Sequence, residues 1–207
     1  MKFIAHRGYS LKYRDNSIDA IVEAIRRGYY GVEIDVQLCK SGELVLFHDV
    51  YVGDRFISEM TLEELWKYDI YSLREVYETV PEIRETHLLI DIKGNNLKVC
   101  EALNRFFSVE SPALVIFCSF NRNILYNLPI QFRKGSTFET TFHPSEFDMI
   151  TRKLSAVVLH WTCLDEAFLI YCKMKNIQVY TYTHKEVNEL EYMYKYDVDG
   201  IITNGIF

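Results

Sequence analysis

Seven residues of this chain could do chemistry together: His6 and Arg7, Glu33 and Asp35, His48, and Asp91 and Lys93. A histidine pair, ordinarily titrating near pH ~6.5, can supply one base and one acid around neutrality. Glu33 and Asp35 in "GVEIDVQL" lie two apart, so on a strand they share a face, while Val32, Ile34 and Val36 take the other. Asp91 and Lys93 in "LLIDIKG" repeat that spacing. Carboxylates so placed either bind a cation or form ion pairs with Arg7 and Lys93. On a strand buried on both faces they require one or the other.

Positioning these groups takes a scaffold, and the chain alternates strand and helix throughout. Strands are expected at Lys2–His6, Gly31–Leu38, Glu43–Phe47, Leu88–Ile92, Leu114–Cys118, Gln131–Gly135, Ala156–His160, Gln178–Tyr182 and Gly200–Thr203. Helical spacing falls at Ser17–Gly28, Leu97–Phe107, Asn121–Leu128, Ser145–Leu154, Asp165–Lys175 and Val187–Tyr196. Nine strands are one more than a closed barrel of eight needs. Lys40–Glu43 is too short for a parallel crossover, so Glu43–Phe47 must fold back antiparallel on Gly31–Leu38 as a hairpin arm. Eight parallel strands remain, the count of a lean TIM (β/α)8 barrel, with residues 1–207 as a single domain. An open doubly wound sheet is the alternative, but neither GxGxxG nor GxxxxGK[ST] occurs. On a barrel, all seven residues gather at one mouth, where catalytic groups sit, and the arm brings His48 toward Glu33.

Composition narrows the partners. The 207 residues are 49% hydrophobic and 25% charged, with a formal net charge of -6. That balance argues against nucleic acid and leaves room for a small anion held by local charges. Five cysteines, Cys39, Cys100, Cys118, Cys163 and Cys172, show no CxxC or CxxH spacing and fit reduced thiols. With no signal-peptide order at the start and no apolar run near the ~18 residues of a membrane span, a cytoplasmic protein is expected.

"HRG" at His6–Gly8, "DN" at Asp15–Asn16, "EIDV" at Glu33–Val36, "HD" at His48–Asp49, "DIK" at Asp91–Lys93, "SF" at Ser119–Phe120 and "VDGIITN" at Val198–Asn204 follow one another in order. The set resembles the glycerophosphodiester phosphodiesterase family, a barrel of the phosphoinositide-specific phospholipase C type, over essentially the whole chain. The resemblance implies metal-dependent hydrolysis of a small-molecule glycerophosphodiester to glycerol 3-phosphate and an alcohol. It implies His6 and His48 as the acid–base pair, and Glu33, Asp35 and Asp91 as ligands of one Mg²⁺ or Ca²⁺. Arg7 and Lys93 match phosphate contacts, and Asp15, Asn16 and Tyr182 match supporting positions. A cyclic phosphate intermediate is possible by analogy with the phospholipase C relatives.

Three departures stand out. Asp91 and Asp15 are each one methylene shorter than the residue usual in the family, and Tyr182-Thr183 stands where Trp-Thr is common. Asp at the third ligand position also resembles the phospholipase D toxins, so cleavage of lysophospholipid head groups is a second reading. A barrel that binds a phosphate ligand or protein partner without turnover is a third. Ser119 is expected to be structural; His143 and His160 carry no motif, and His184, just past a strand, is a candidate substrate contact.

Overall fold

The computed structural model describes residues 2–205. Strand β1 (Phe3–His6) leads through helix α1 (Ile18–Arg26) to β2 (Gly31–Leu38). The arm strand β3 (Leu44–Leu46) and a small hairpin, β4 (Tyr51–Val52) and β5 (Arg55–Phe56), come next. Helices α2 (Leu62–Trp66) and α3 (Leu73–Thr79) lead to β6 (His87–Ile92). The remainder alternates: α4 (Lys98–Phe106), β7 (Val115–Ser119), α5 (Arg122–Asn127), β8 (Arg133–Phe138), α6 (Phe147–Ile150), β9 (Ala156–His160), α7 (Glu166–Met174), β10 (Gln178–His184), α8 (Val187–Met193) and β11 (Gly200–Thr203).

The ring runs β1-β11-β10-β9-β8-β7-β6-β2 and closes by pairing β1 with β2. All eight of its pairings are parallel. β3 lies outside the ring, antiparallel to β2 with Val36 opposite Leu46. This is the expected barrel with its arm.

Strand alternation sorts the side chains. Val32, Ile34 and Val36 face outward into the main apolar layer, packed with Ile21, Leu73, Leu103 and Phe117. Ile4, Leu89, Ile116, Val158, Tyr180 and Ile202 fill the lumen. The lumen filling makes a floor, and the next inward positions on β1, β2 and β6 are His6, Glu33 with Asp35, and Asp91.

The expected elements shift in places. β8 spans Arg133–Phe138, beginning two residues later than expected. β10 runs on to His184. The helix expected over Ser145–Leu154 is a 3-10 turn, Pro144–Glu146, followed by one turn of α6. Between the arm and β6, two short helices had no expectation. Both open on capping boxes, Thr61 with Glu64 and Ser72 with Glu75, which satisfy the first amides.

The turn after β1 fixes the entrance to α1. Gly8 has φ +79°, and a Cβ there would sit 2.6 Å from the carbonyl carbon of Ala20. Tyr9 N donates to Ala20 O at 2.8 Å across the same contact. Only glycine combines that backbone with that approach. Gly8→Ala is expected to destabilise the protein by ~2 kcal/mol or more, since the left-handed backbone alone costs a side chain about that much. Denaturant unfolding of the two proteins checks it.

Candidate active site

The "HRG" and "DN" pairs knit the first loop to β2. Arg7 is itself left-handed, with φ 57°, and its backbone N–H donates to Glu33 Oε2 at 3.0 Å. Its guanidinium meets Asp35 at 3.0 Å and Asp15 at 2.8 Å. Asn16, also left-handed at φ 59°, donates from Nδ2 to Asp35 Oδ2 at 2.8 Å and accepts from Asp35 N at 2.9 Å. Asp35 is therefore held from its side chain and its backbone. Asp15 lies outside the carboxylate cluster and acts on it through Arg7.

Register brings the carboxylates together. Asp35 is paired with Asp91 across β2 and β6, and His6 with Glu33 across β1 and β2. One oxygen each from Glu33, Asp35 and Asp91 lies within 4.8 Å of the others, and all three residues are buried. The shorter Asp91 side chain thus still reaches the cluster. Lys93 Nζ lies 2.5 Å from Asp91 Oδ2 and 3.0 Å from Asp35 Oδ1.

The charges are out of balance. Burial, then Asp35 and Asp91, push the Glu33 carboxyl well up. Burial likewise raises Asp91, with Lys93 opposing. Burial works against Asp35 too, yet Lys93 and Arg7 hold its carboxyl below the usual range. Two unit charges 4.8 Å apart repel by about 3 kcal/mol at an effective dielectric constant of ~20. Three carboxylates face two fixed cations, and Asp91 Oδ1 is buried with no partner among the described residues. An orphaned oxygen and a deficit of one positive charge fit a hard divalent cation held by these three residues.

The histidines flank this cluster. His6 Nδ1 donates to Asn204 Oδ1 at 2.7 Å, which leaves Nε2 bare as an acceptor. Burial, then Arg7, lowers the His6 pKa to about 4, so the ring is neutral in ordinary buffer. His48 stands at the rim on the arm, half-exposed, with Nδ1 2.8 Å from Asp49 Oδ1. Its loop is pinned by Gln37 Nε2, which donates to Phe47 O and Asp49 O, each at 2.8 Å. Both histidines line one cavity of about 200 Å³ with Arg7, Lys93 and the carboxylates.

Tyr182 lines the same cavity. Ser119 is buried and structural, donating to Ile92 O at 2.8 Å and accepting from Asn121 N. His143 caps the 3-10 turn before α6, outside the cavity lining. His184 corrects its expectation: β10 shifts register between Thr181 and His184, and the ring is fully buried beside Trp161, outside the cavity lining, with Nε2 3.0 Å from Thr181 Oγ1. It is therefore no substrate contact. Asn204, Gln37, Glu139 and Phe120 were not picked out as site residues. Asn204 and Phe120 stood inside the quoted motifs "VDGIITN" and "SF"; Gln37 and Glu139 carried no local signal.

A parallel barrel with a buried acidic triad, two fixed cations and two histidines at one mouth suits a small phosphodiester, and the relatives of this chain are phosphoric diester hydrolases. The chain belongs to the glycerophosphoryl diester phosphodiesterase family, whose model matches residues 6–206. It is 27% identical to a glycerophosphodiester phosphodiesterase of Caldanaerobacter subterraneus, over 97% of this chain and 93% of that one. Its fold is similar to that of the glycerophosphodiester phosphodiesterase of Thermotoga maritima, with TM-score 0.84 and 24% identity over 99% of this chain and 95% of that one. It is also similar to an Oleispira antarctica phosphodiesterase solved with its product sn-glycerol-3-phosphate, with TM-score 0.86 and 22% identity over 99% and 93%.

Asn204 reaches His6 from the last barrel strand. Asn204→Ala is expected to lower kcat for diester hydrolysis by ~10-fold with a smaller change in KM, because ring orientation and tautomer are lost while the phosphate contacts stay. Ring ¹⁵N shifts of His6 should move from one tautomer to a mixture, and Asn204→Asp should restore the single form.

Proposed function

We propose that residues 1–207 act as one catalytic domain that hydrolyses glycerophosphodiesters to sn-glycerol 3-phosphate and an alcohol. The observation that carries this reading is the convergence of His6 and His48 on the Glu33–Asp35–Asp91 cluster within one small cavity. Those three carboxylates would hold one Mg²⁺ or Ca²⁺, since every donor is a hard oxygen. When bound, the cation neutralises phosphoryl oxygens and makes the phosphorus open to attack.

The protein's own groups do the rest. Arg7 and Lys93 donate to the phosphate as negative charge builds in the transition state. His6 Nε2 takes the proton of the nucleophile, with Asn204 holding the ring. His48, carried on the arm and backed by Asp49, gives a proton to the departing alcohol. The glycerol hydroxyl next to the ester is the nucleophile, because attack within the substrate gains from proximity. A cyclic glycerol phosphate forms, and water then opens it. The acidic net charge supports a small-molecule rather than a nucleic-acid substrate. No helix among the described residues is long and apolar enough to cross a membrane, and the five free cysteines support a reducing, cytoplasmic setting.

Chelation is expected to abolish release of glycerol 3-phosphate from glycerophosphocholine, with Mg²⁺ or Ca²⁺ restoring it. Full turnover in excess chelator would overturn the cation's role. His6→Ala and His48→Ala should each cost ~10² or more in kcat with folding intact, whereas His143→Ala should change little.

The nucleophile has its own test. A diester lacking the neighbouring hydroxyl should bind but be cleaved orders of magnitude more slowly than its parent. Equal cleavage of the two, with no cyclic phosphate in the ³¹P spectrum, would assign the attack to water.

A further inference from the structure

Lys2, His87 and Arg133 gather at the end of the barrel opposite the catalytic mouth. Lys2 precedes β1, and His87 and Arg133 open β6 and β8, so all three stand where parallel strands begin. Inward positions recur at every second residue. Lys2 lies two before Ile4, His87 two before Leu89 and Gln178 two before Tyr180, all lumen residues. Arg133 lies four before Thr137, which lines the catalytic cavity. In ring order β6 lies between β8 and β1, so His87 stands between the two fixed cations.

Packing holds these groups together. Gly31 pairs with His87 across β2 and β6, and a Cβ on it would lie 2.6 Å from His87 O. The His87 ring stacks on Tyr30, with centroids 4.3 Å apart and planes 14° off parallel. Lys2 Nζ sits 4.4 Å from the centre of the Tyr30 ring. Arg133 Nη2 donates to Gln178 Oε1. All five side chains are partly buried.

Their charge is unanswered. Among the described residues, Lys2, His87 and Arg133 form no ion pair, whereas Arg7, Arg84 and Lys93 each meet a carboxylate within 3.0 Å. Burial, then Lys2 and Arg133, lower the His87 pKa, and no carboxylate opposes them. Glu85, two residues before it, is exposed and does not act on the ring. Asp199 belongs to the count, since burial and then its charge raise the Tyr180 hydroxyl in the lumen. Its Oδ2 accepts from Val179 N at 2.8 Å. Lys2 and Arg133 less Asp199 leave one positive charge, and a proton on His87 makes two. A dianion balances that count.

We infer that Lys2, His87 and Arg133 form a second anion site, at the far end of the barrel from the catalytic mouth, for a phosphate-type dianion. Donors from three strands suit a compact tetrahedral oxyanion, and the Arg133 fork takes two oxygens at once. The site stands without the diesterase reading.

The test follows the His87 ring by NMR in inorganic phosphate and in sodium chloride of equal ionic strength, with His87→Gln assigning its signals. Phosphate is expected to raise the His87 pKa by ~1 unit over chloride, the mark of a dianion that binds the protonated ring ~10-fold more tightly. Lys2→Met and Arg133→Met, each keeping an unbranched side chain, should each cut that shift by about half or more. Glycerol 3-phosphate is the second arm. A larger shift with it assigns the site to phosphate monoesters, and an equal or smaller one to the free ion. No shift beyond chloride with either anion in the wild-type protein would overturn the site, and that comparison needs no variant to fold. So would an undiminished shift in both variants, which would put the anion elsewhere.

Discussion

Three carboxylates packed within 4.8 Å of one another are the constraint on which this fold is arranged. Left alone in a buried place, they would repel one another and resist ionisation. Arg7 and Lys93 are placed to prevent that, and each reaches Asp35 from a different neighbouring strand. Asn16 adds a hydrogen bond to Asp35 Oδ2 and accepts one from Asp35 N. The left-handed residues of the first loop, Arg7, Gly8 and Asn16, follow from this demand. They bend the chain so that one short loop delivers a backbone N–H to Glu33 and an amide to Asp35.

The arm solves a different problem. A parallel barrel supplies inward side chains at strand ends, but His48 has to approach from the rim. An antiparallel return over β2 places it there in ten residues, counted from Leu38 to His48. Gln37 fixes its loop by donating to the carbonyls on either side of it. Beneath the arm, Val45, Ile57, Met60 and Leu65 form a separate apolar cluster, so the segment 44–70 packs as a small buttress and not as a loose insertion. That buttress gives the rim histidine a rigid base while leaving its ring half-exposed.

Much of this was legible in the sequence, and the reasons are physical. Strand periodicity of two puts Glu33 with Asp35, and Asp91 with Lys93, on shared faces without any tertiary knowledge. The four-residue turn before the arm excludes a parallel crossover, which fixes the strand count at eight. Contacts made across the barrel closure were not legible: nothing local in "TNG" shows that Asn204 will meet His6. The burial of His184 was not legible because β10 shifts register between Thr181 and His184, a break that strict alternation does not show. The two helices before β6 had readable signals in their capping boxes; their apolar stripes are too short to stand out by periodicity.

The hydrogen bond between His6 and Asn204 joins residues 198 positions apart, and β1 pairs with β11 as well as with β2. During synthesis, His6 leaves the ribosome long before Asn204 is made. Until Thr203 and Asn204 emerge, the nascent barrel lacks both the strand that shuts it and the amide that holds the His6 ring. A chain interrupted late in translation would therefore carry every charged group of the site and still present them on an open sheet. On this geometry, the ring closes only once β11 has been made.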